Sequence, residues 1–154
     1  MSKSTIRTLQ TKGGLVEHLE IVRQIQKDIY KGKGSSADMP LRGVPAVHSM
    51  LIREELVGKS LDTLVDELQR LEKETEVVVV KLAFEPTKKF TNALYNKLDK
   101  VLDEEFLVDI EVEPEIGGGC VIIYKGKNID LSLDKMVDKY FSQNKDAFSK
   151  LAHR

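Results

Sequence analysis

The chain has 154 residues, of which 41% are hydrophobic, and 24 Lys and Arg stand against 25 Asp and Glu for a net charge of -1. That apolar share supports a packed core and excludes a wholly disordered chain, while the charge balance leaves no bulk positive field to hold nucleic acid. One cysteine, Cys120, excludes an internal disulfide framework and a Cys-rich zinc site.

Residues 1–12 are polar and carry no period, so they read as a loose tail, and with no apolar core after the first charges they do not read as a secretory signal. Gly13-Gly14 opens a helical stretch with Leu15, Leu19, Val22, Ile25 and Ile29 on one stripe. Lys31-Gly32-Lys33-Gly34-Ser35-Ser36 ends it, because Gly and Ser make continuation costly. Residues 31–42 read as a flexible connector. A second helix is predicted over about 44–57. A third follows Ser60, a candidate N-cap, with Leu61, Leu64, Val65, Leu68 and Leu71 on its stripe.

The texture changes at Glu76. Val77 to Val80 is short and β-branched, and apolar on both faces, as in a covered central strand. Pro86 suits the first turn of a helix whose stripe is Phe90, Leu94, Leu98, Val101 and Leu102. Phe106, Val108, Ile110 and Val112 then alternate with Leu107, Asp109, Glu111 and Glu113, a strand with one wet face. Gly117-Gly118-Gly119 punctuates before the strand Val121 to Tyr124. Lys125-Gly126-Lys127-Asn128 makes a turn. A last amphipathic helix carries Leu133, Met136, Val137, Tyr140 and Phe141, fraying after Asn144.

The expected class is α+β: N-terminal helices followed by a small mixed β-α-β-β-α domain. The boundaries are 1–75 for tail and helices, 76–143 for the mixed domain and 144–154 for a tail. The helix between the first two strands makes them parallel with a right-handed crossover, and the short link to the third makes that one antiparallel. The last helix is expected to pack its stripe on the sheet. If 76–143 folds as a unit, limited proteolysis of the full chain should cut first in 31–42 and leave 76–143 intact. Early cutting spread through 76–143 would contradict it.

No motif for chemistry stands out. Gly58-Lys59-Ser60 lacks the earlier glycine a phosphate loop needs, since position 53 is Arg, and it lies between helices. Gly117 to Gly119 leads into a strand, where glycines permit a bulge, positive φ or close backbone approach, rather than into a helix N-terminus that would hold an anion. Glu104, Glu105, Asp109, Glu111 and Glu113 lack a recurring His or nucleophile, and read as a solvated face open to a basic partner. Cys120 heads an apolar strand with no electropositive neighbour, as a buried small hydrophobe does. His18 and His48 have no second ligand at metal spacing. No apolar run approaches the roughly 18 residues of a membrane span. The chain reads as soluble, intracellular and metal-poor.

The stretch from Val77 to Phe141 resembles the C-terminal domain of the delta subunit of F-type ATP synthases, the oligomycin-sensitivity-conferring protein family. The resemblance rests on Lys81-Leu82-Ala83-Phe84, the helix from Pro86 to Glu105, and Val108-Asp109-Ile110-Glu111-Val112-Glu113-Pro114. Its most specific part is Ile116-Gly117-Gly118, a strand, a Gly turn, and Asp130-Leu131-Ser132-Leu133 opening the last helix. The resemblance implies a non-catalytic peripheral-stalk subunit in ATP synthesis and proton transport, linking the membrane sector to the catalytic head. It implies stalk and head subunits as partners, a peripheral place on the cytoplasmic face of the membrane without insertion, and no cofactor, metal or catalytic residue. Gly117, Gly118, Asp130, Ser132 and Leu133 are then a structural signature. Ser132 can cap the last helix, and Asp130 adds negative charge before it. The family's usual N-terminal domain has six helices. Only three are expected before Val77, which implies a shortened or divergent delta subunit. The alternatives are the E-type stalk subunit of V- and A-type ATPases, and a small α/β domain binding an anion or nucleotide at the glycines.

Overall fold

A computed structural model describes residues 2–32 and 41–144. Most of the expected connector, at 33–40, and the C-terminal tail from 145 lie outside the described residues. The elements, in order, are α1 (Ser2–Leu9), α2 (Lys12–Tyr30), α3 (Ala46–Glu55), α4 (Leu61–Glu74), β1 (Glu76–Leu82), α5 (Lys88–Asp99), β2 (Phe106–Val112), a 3-10 turn (Pro114–Ile116), β3 (Gly119–Tyr124), β4 (Lys127–Ser132) and α6 (Leu133–Gln143). The protein is α+β, as expected. It divides into two compact units: residues 1–77 with 100–107, and residues 78–99 with 108–154.

The first unit is a helical cluster. Leu15, Leu19, Val22 and Ile25 of α2 pack with Ile52 of α3, with Leu64, Val65 and Leu68 of α4, and with Leu107. Two of the helices, α2 and α4, start where the sequence provides caps. Thr11 Oγ1 accepts from the Gly14 N–H at 3.0 Å, and Ser60 Oγ from the Thr63 N–H at 3.2 Å. The expected loose tail is a helix instead. α1 buries Thr5 and Ile6, each 1% exposed. Gln10, at φ 61, turns the chain into α2. One buried apolar residue in eight makes no period, so this helix has no sequence signature; its burial gives the anchor that propensity does not.

The second unit holds a four-stranded sheet in the order β2-β1-β3-β4. β1 is central, as its two-sided apolar run predicts, with Val78, Val80 and Leu82 at most 1% exposed. The Glu113 N–H donates to the Leu82 carbonyl at 2.7 Å, so the C-terminal ends of β1 and β2 coincide and the two strands run in the same direction. β3 pairs antiparallel with β1, Val80 facing Ile122 and Leu82 facing Cys120. It lies on the far side of β1 from β2, so the short link between β2 and β3 is a crossover and not a hairpin. A fourth strand is present where a turn and helix approach were expected: β4 pairs antiparallel with β3, Ile122 facing Ile129 and Cys120 facing Leu131. Lys125, at φ 48, and Gly126, at φ 74, make the tight hairpin between them. Three further local expectations shift. Pro86 precedes the first turn of α5 rather than sitting in it, and Thr87 caps it, its Oγ1 accepting from the Phe90 N–H at 3.2 Å. Val101 stands off the expected stripe at 76% exposed, and the one fully buried residue of α5 is Tyr95. In β2 the alternation gives way to a gradient, buried from Phe106 to Val108 and exposed at Glu111 and Val112.

Candidate functional site

The signature residues meet in one place in the second unit, where the 3-10 turn enters β3 and β4 enters α6. Gly117, at φ 71, ends the turn, its N–H donating to the Pro114 carbonyl at 3.2 Å. The Gly118 carbonyl accepts from the Leu133 N–H at 2.9 Å, which satisfies one of the open donors of the first turn of α6. A Cβ on Gly118 would come 3.3 Å from Leu133 Cβ. Asp130 Oδ1 accepts from the Ser132 N–H at 2.9 Å, and Asp130 Oδ2 lies 3.4 Å from Lys135 Nζ. The Ser132 hydroxyl and N–H, with Lys135 nearby, hold the Asp130 carboxyl below the usual carboxylate range. Ser132 Oγ in turn accepts from the Lys135 N–H at 3.4 Å, a long cap.

The glycine that leaves least room is Gly119, which stands outside the expected signature. It has φ 79, and a Cβ there would sit 2.2 Å from the Leu131 carbonyl oxygen and 3.0 Å from Ser132 Cα. Gly119 faces Ser132 across the β3–β4 ladder. The space beside Gly119 is therefore filled by backbone, whereas Gly117 and Gly118 face the Asp134 and Leu133 side chains.

The second feature of this unit is exposed apolar surface. α6 was expected to pack its stripe on the sheet. Instead Leu133, Met136, Val137 and Tyr140 are 52%, 60%, 43% and 60% exposed. Phe141 has a side chain outside the described residues. On β4, Ile129 and Leu131 are also about half exposed, on the sheet face they share with Val80 and Leu82. The stripe has helical spacing because it needs an apolar partner, and the short sheet edge beside α6 does not supply one. Apolar side chains at this spacing on one helix are the kind of surface that marks an interface.

The remaining candidates resolve into structure. Glu111 and Glu113 hold Lys81, at 3.4 and 2.5 Å, and Glu113 chiefly raises the lysine's pKa. Glu104 and Glu105 belong to the first unit. Cys120 is half-buried, and burial pushes its thiol up, away from a reactive thiolate. Among the described residues no group of three or more His, Cys, Asp or Glu could hold a metal ion, and no helix is long and apolar enough to cross a membrane.

Sequence reasoning missed one cluster. His18 and His48, 30 positions apart, stack in the first unit with ring centroids 5.2 Å apart and their Nδ1 atoms at 3.0 Å. A signal existed: His18 lies on the buried stripe of α2, and His48 and Glu55 flank Leu51 and Ile52 on the buried stripe of α3. Polar residues on a buried stripe need partners.

Fold and surface together define an α+β protein whose last helix offers an uncovered apolar stripe beside a glycine-built junction. The family model described as ATP synthase delta (OSCP) subunit matches residues 52–143, more than half of the chain, and the chain belongs to that family. The match starts within α3, so it takes in α4 as well as the sheet domain in which the resemblance was read. Among curated proteins none matches the chain.

Proposed function

We propose that this protein is a non-catalytic peripheral-stalk subunit of an F-type ATP synthase, joining the membrane sector to the catalytic head. Its work is mechanical: it holds a stalk subunit on one side and head subunits on the other while torque acts between them. The family membership carries this reading. The exposed stripe Leu133, Met136, Val137 and Tyr140 supports it, because a subunit that forms no bonds of its own must bind through surface. The stripe is assigned to the stalk partner, whose own amphipathic helix would cover it.

Full-length tagged protein should bring down ATP synthase subunits from its own cells. The double substitution Met136→Ser with Tyr140→Ser should weaken that association at least about tenfold, since anchors buried at an interface are each worth on the order of 1 to 2 kcal/mol. The same change should leave the melt within about 0.5 kcal/mol of the parent, because neither side chain is buried in the free protein. Unchanged association would remove the stripe from the proposal. Absence of ATP synthase subunits from the wild-type eluate would count against the stalk assignment itself.

A further inference from the structure

The joint between α1 and α2 is two residues long and is bent against the preference of its sequence. Gln10 has φ 61, and the Thr11 N–H donates across it to the Leu9 carbonyl at 2.7 Å, which makes Gln10 the centre of a γ-turn of the rare, strained hand. Among the described residues the only other non-glycine with positive φ is Lys125, where the β3–β4 hairpin calls for it. The bend is also crowded. A Cβ on Gly14 would sit 3.1 Å from the Leu9 carbonyl oxygen and 3.0 Å from Thr11 Oγ1, which accepts from the Gly14 N–H. No proline stands between Ser2 and Tyr30, and Gly13 and Gly14 are already helical. With Gln10 returned to the right-handed region, α1 and α2 run on as one helix from Ser2 to Tyr30, and the backbone groups at the joint gain ordinary helical partners.

That change carries α1 out of its place. In a straight helix Ile6 stands about 9 Å beyond Lys12, the first residue of α2. Left behind is a socket: the buried site of Ile6 among the apolar residues of α2, α3 and α4, and Glu55 Oε1, the acceptor of the Thr5 hydroxyl. Thr5 and Ile6 are each 1% exposed, so an empty socket bares apolar surface and takes a hydrogen bond from a buried carboxylate. The ligand that meets both demands, an apolar side chain next to a hydroxyl donor on one short helix, is the α1 of a second copy. We propose that α1 is an exchangeable arm, and that two copies of this chain form a two-fold dimer in which each straightened α1 fills the other's socket. The contacts between arm and socket are remade in the dimer, two strained joints are relieved, and the exchange closes at two copies. The opposing cost is the freedom lost on association, which makes the balance depend on concentration. Arm and socket belong to the first unit, and the exchange does not depend on the stalk reading.

Sedimentation equilibrium of the full chain up to millimolar concentration tests this. The wild type should show a monomer–dimer equilibrium. Gln10→Gly, which accepts positive φ, should raise the dimer dissociation constant at least about tenfold, because each dimer relieves two joints. Gly14→Ala crowds the bend but suits the straight helix, and should lower the constant by a similar factor. Gly13→Ala is the control: a Cβ there meets nothing within 4 Å and the residue is helical in both states, so its constant should stay near that of the wild type. In a dimer of mixed isotope-labelled and unlabelled copies, filtered NOEs should run from Ile6 of one copy to the core methyls of the other. Should Gly14→Ala fail to fold, Gln10→Gly and the NOEs decide alone. A wild type that stays monomeric at the highest concentration, a dissociation constant unmoved by Gln10→Gly, or a dimer whose Ile6 NOEs lie only within its own copy would overturn the exchange.

Discussion

Gly119→Val should unfold the second unit or cost it about 4 kcal/mol, measured by urea denaturation with a probe in the sheet. Two separate penalties meet at this residue. A β-branched side chain at φ 79 carries backbone strain of about 1 to 3 kcal/mol. Its Cβ would also stand 2.2 Å from the Leu131 carbonyl oxygen, and backbone cannot move aside as a flexible side chain can. Relief requires parting β3 from β4 at Ser132, which carries the cap of α6. Ser132→Ala is the scale for this effect. It should cost about 1 kcal/mol or less, given a cap of 3.4 Å. Gly118→Val should fall between the two, since its added Cβ meets a side chain, Leu133, at 3.3 Å. A Gly119→Val protein as stable as Ser132→Ala would contradict the close approach described here.

Glu55→Ala should cost about 3 kcal/mol in the first unit. Glu55 accepts from His18 Nε2 and from the Thr5 hydroxyl, and all three side chains are buried. Truncation takes the acceptor from the buried His18 Nε2 and one hydrogen bond from Thr5, and an unmet buried polar group costs about 1 to 3 kcal/mol. Glu55→Gln keeps the shape and one acceptor oxygen, and should cost markedly less. The expected order in urea melts is wild type, then Gln, then Ala. A loss below about 1 kcal/mol for Ala would mean that the cluster does not hold the helices together.

How far the sequence disclosed this structure depended on range. α2, α4 and β1 were legible because each writes its burial as a local period, and Ser60 and Ser132 because a cap acts within one turn. α1 was not, since its single buried apolar residue makes sense only against α2. β4 was hidden because Asp130 and Ser132 look like helix-start residues, which they also are, while Ile129 and Leu131 supply too short an alternation. The strand order was not written locally either, since a short link between β2 and β3 suits a hairpin as well as a crossover. At the signature, residue types pointed to the right junction but not to its tightest point. Gly119 is distinguished from its neighbours only by the strand that passes beside it. The exposure of α6 was illegible for the same reason: amphipathicity announces that a stripe wants cover, and says nothing of whether this chain provides it.

The proposed stator role makes a direct demand on membranes. Vesicles from cells depleted of this protein should have ATP hydrolysis that fails to build a proton gradient, because the head is no longer held against the rotor. Adding back the purified full-length protein should restore ATP-driven proton pumping, and the Met136→Ser, Tyr140→Ser variant should restore it poorly. Full pumping in depleted vesicles, with no response to the added protein, would contradict the role proposed for this member of the delta subunit family.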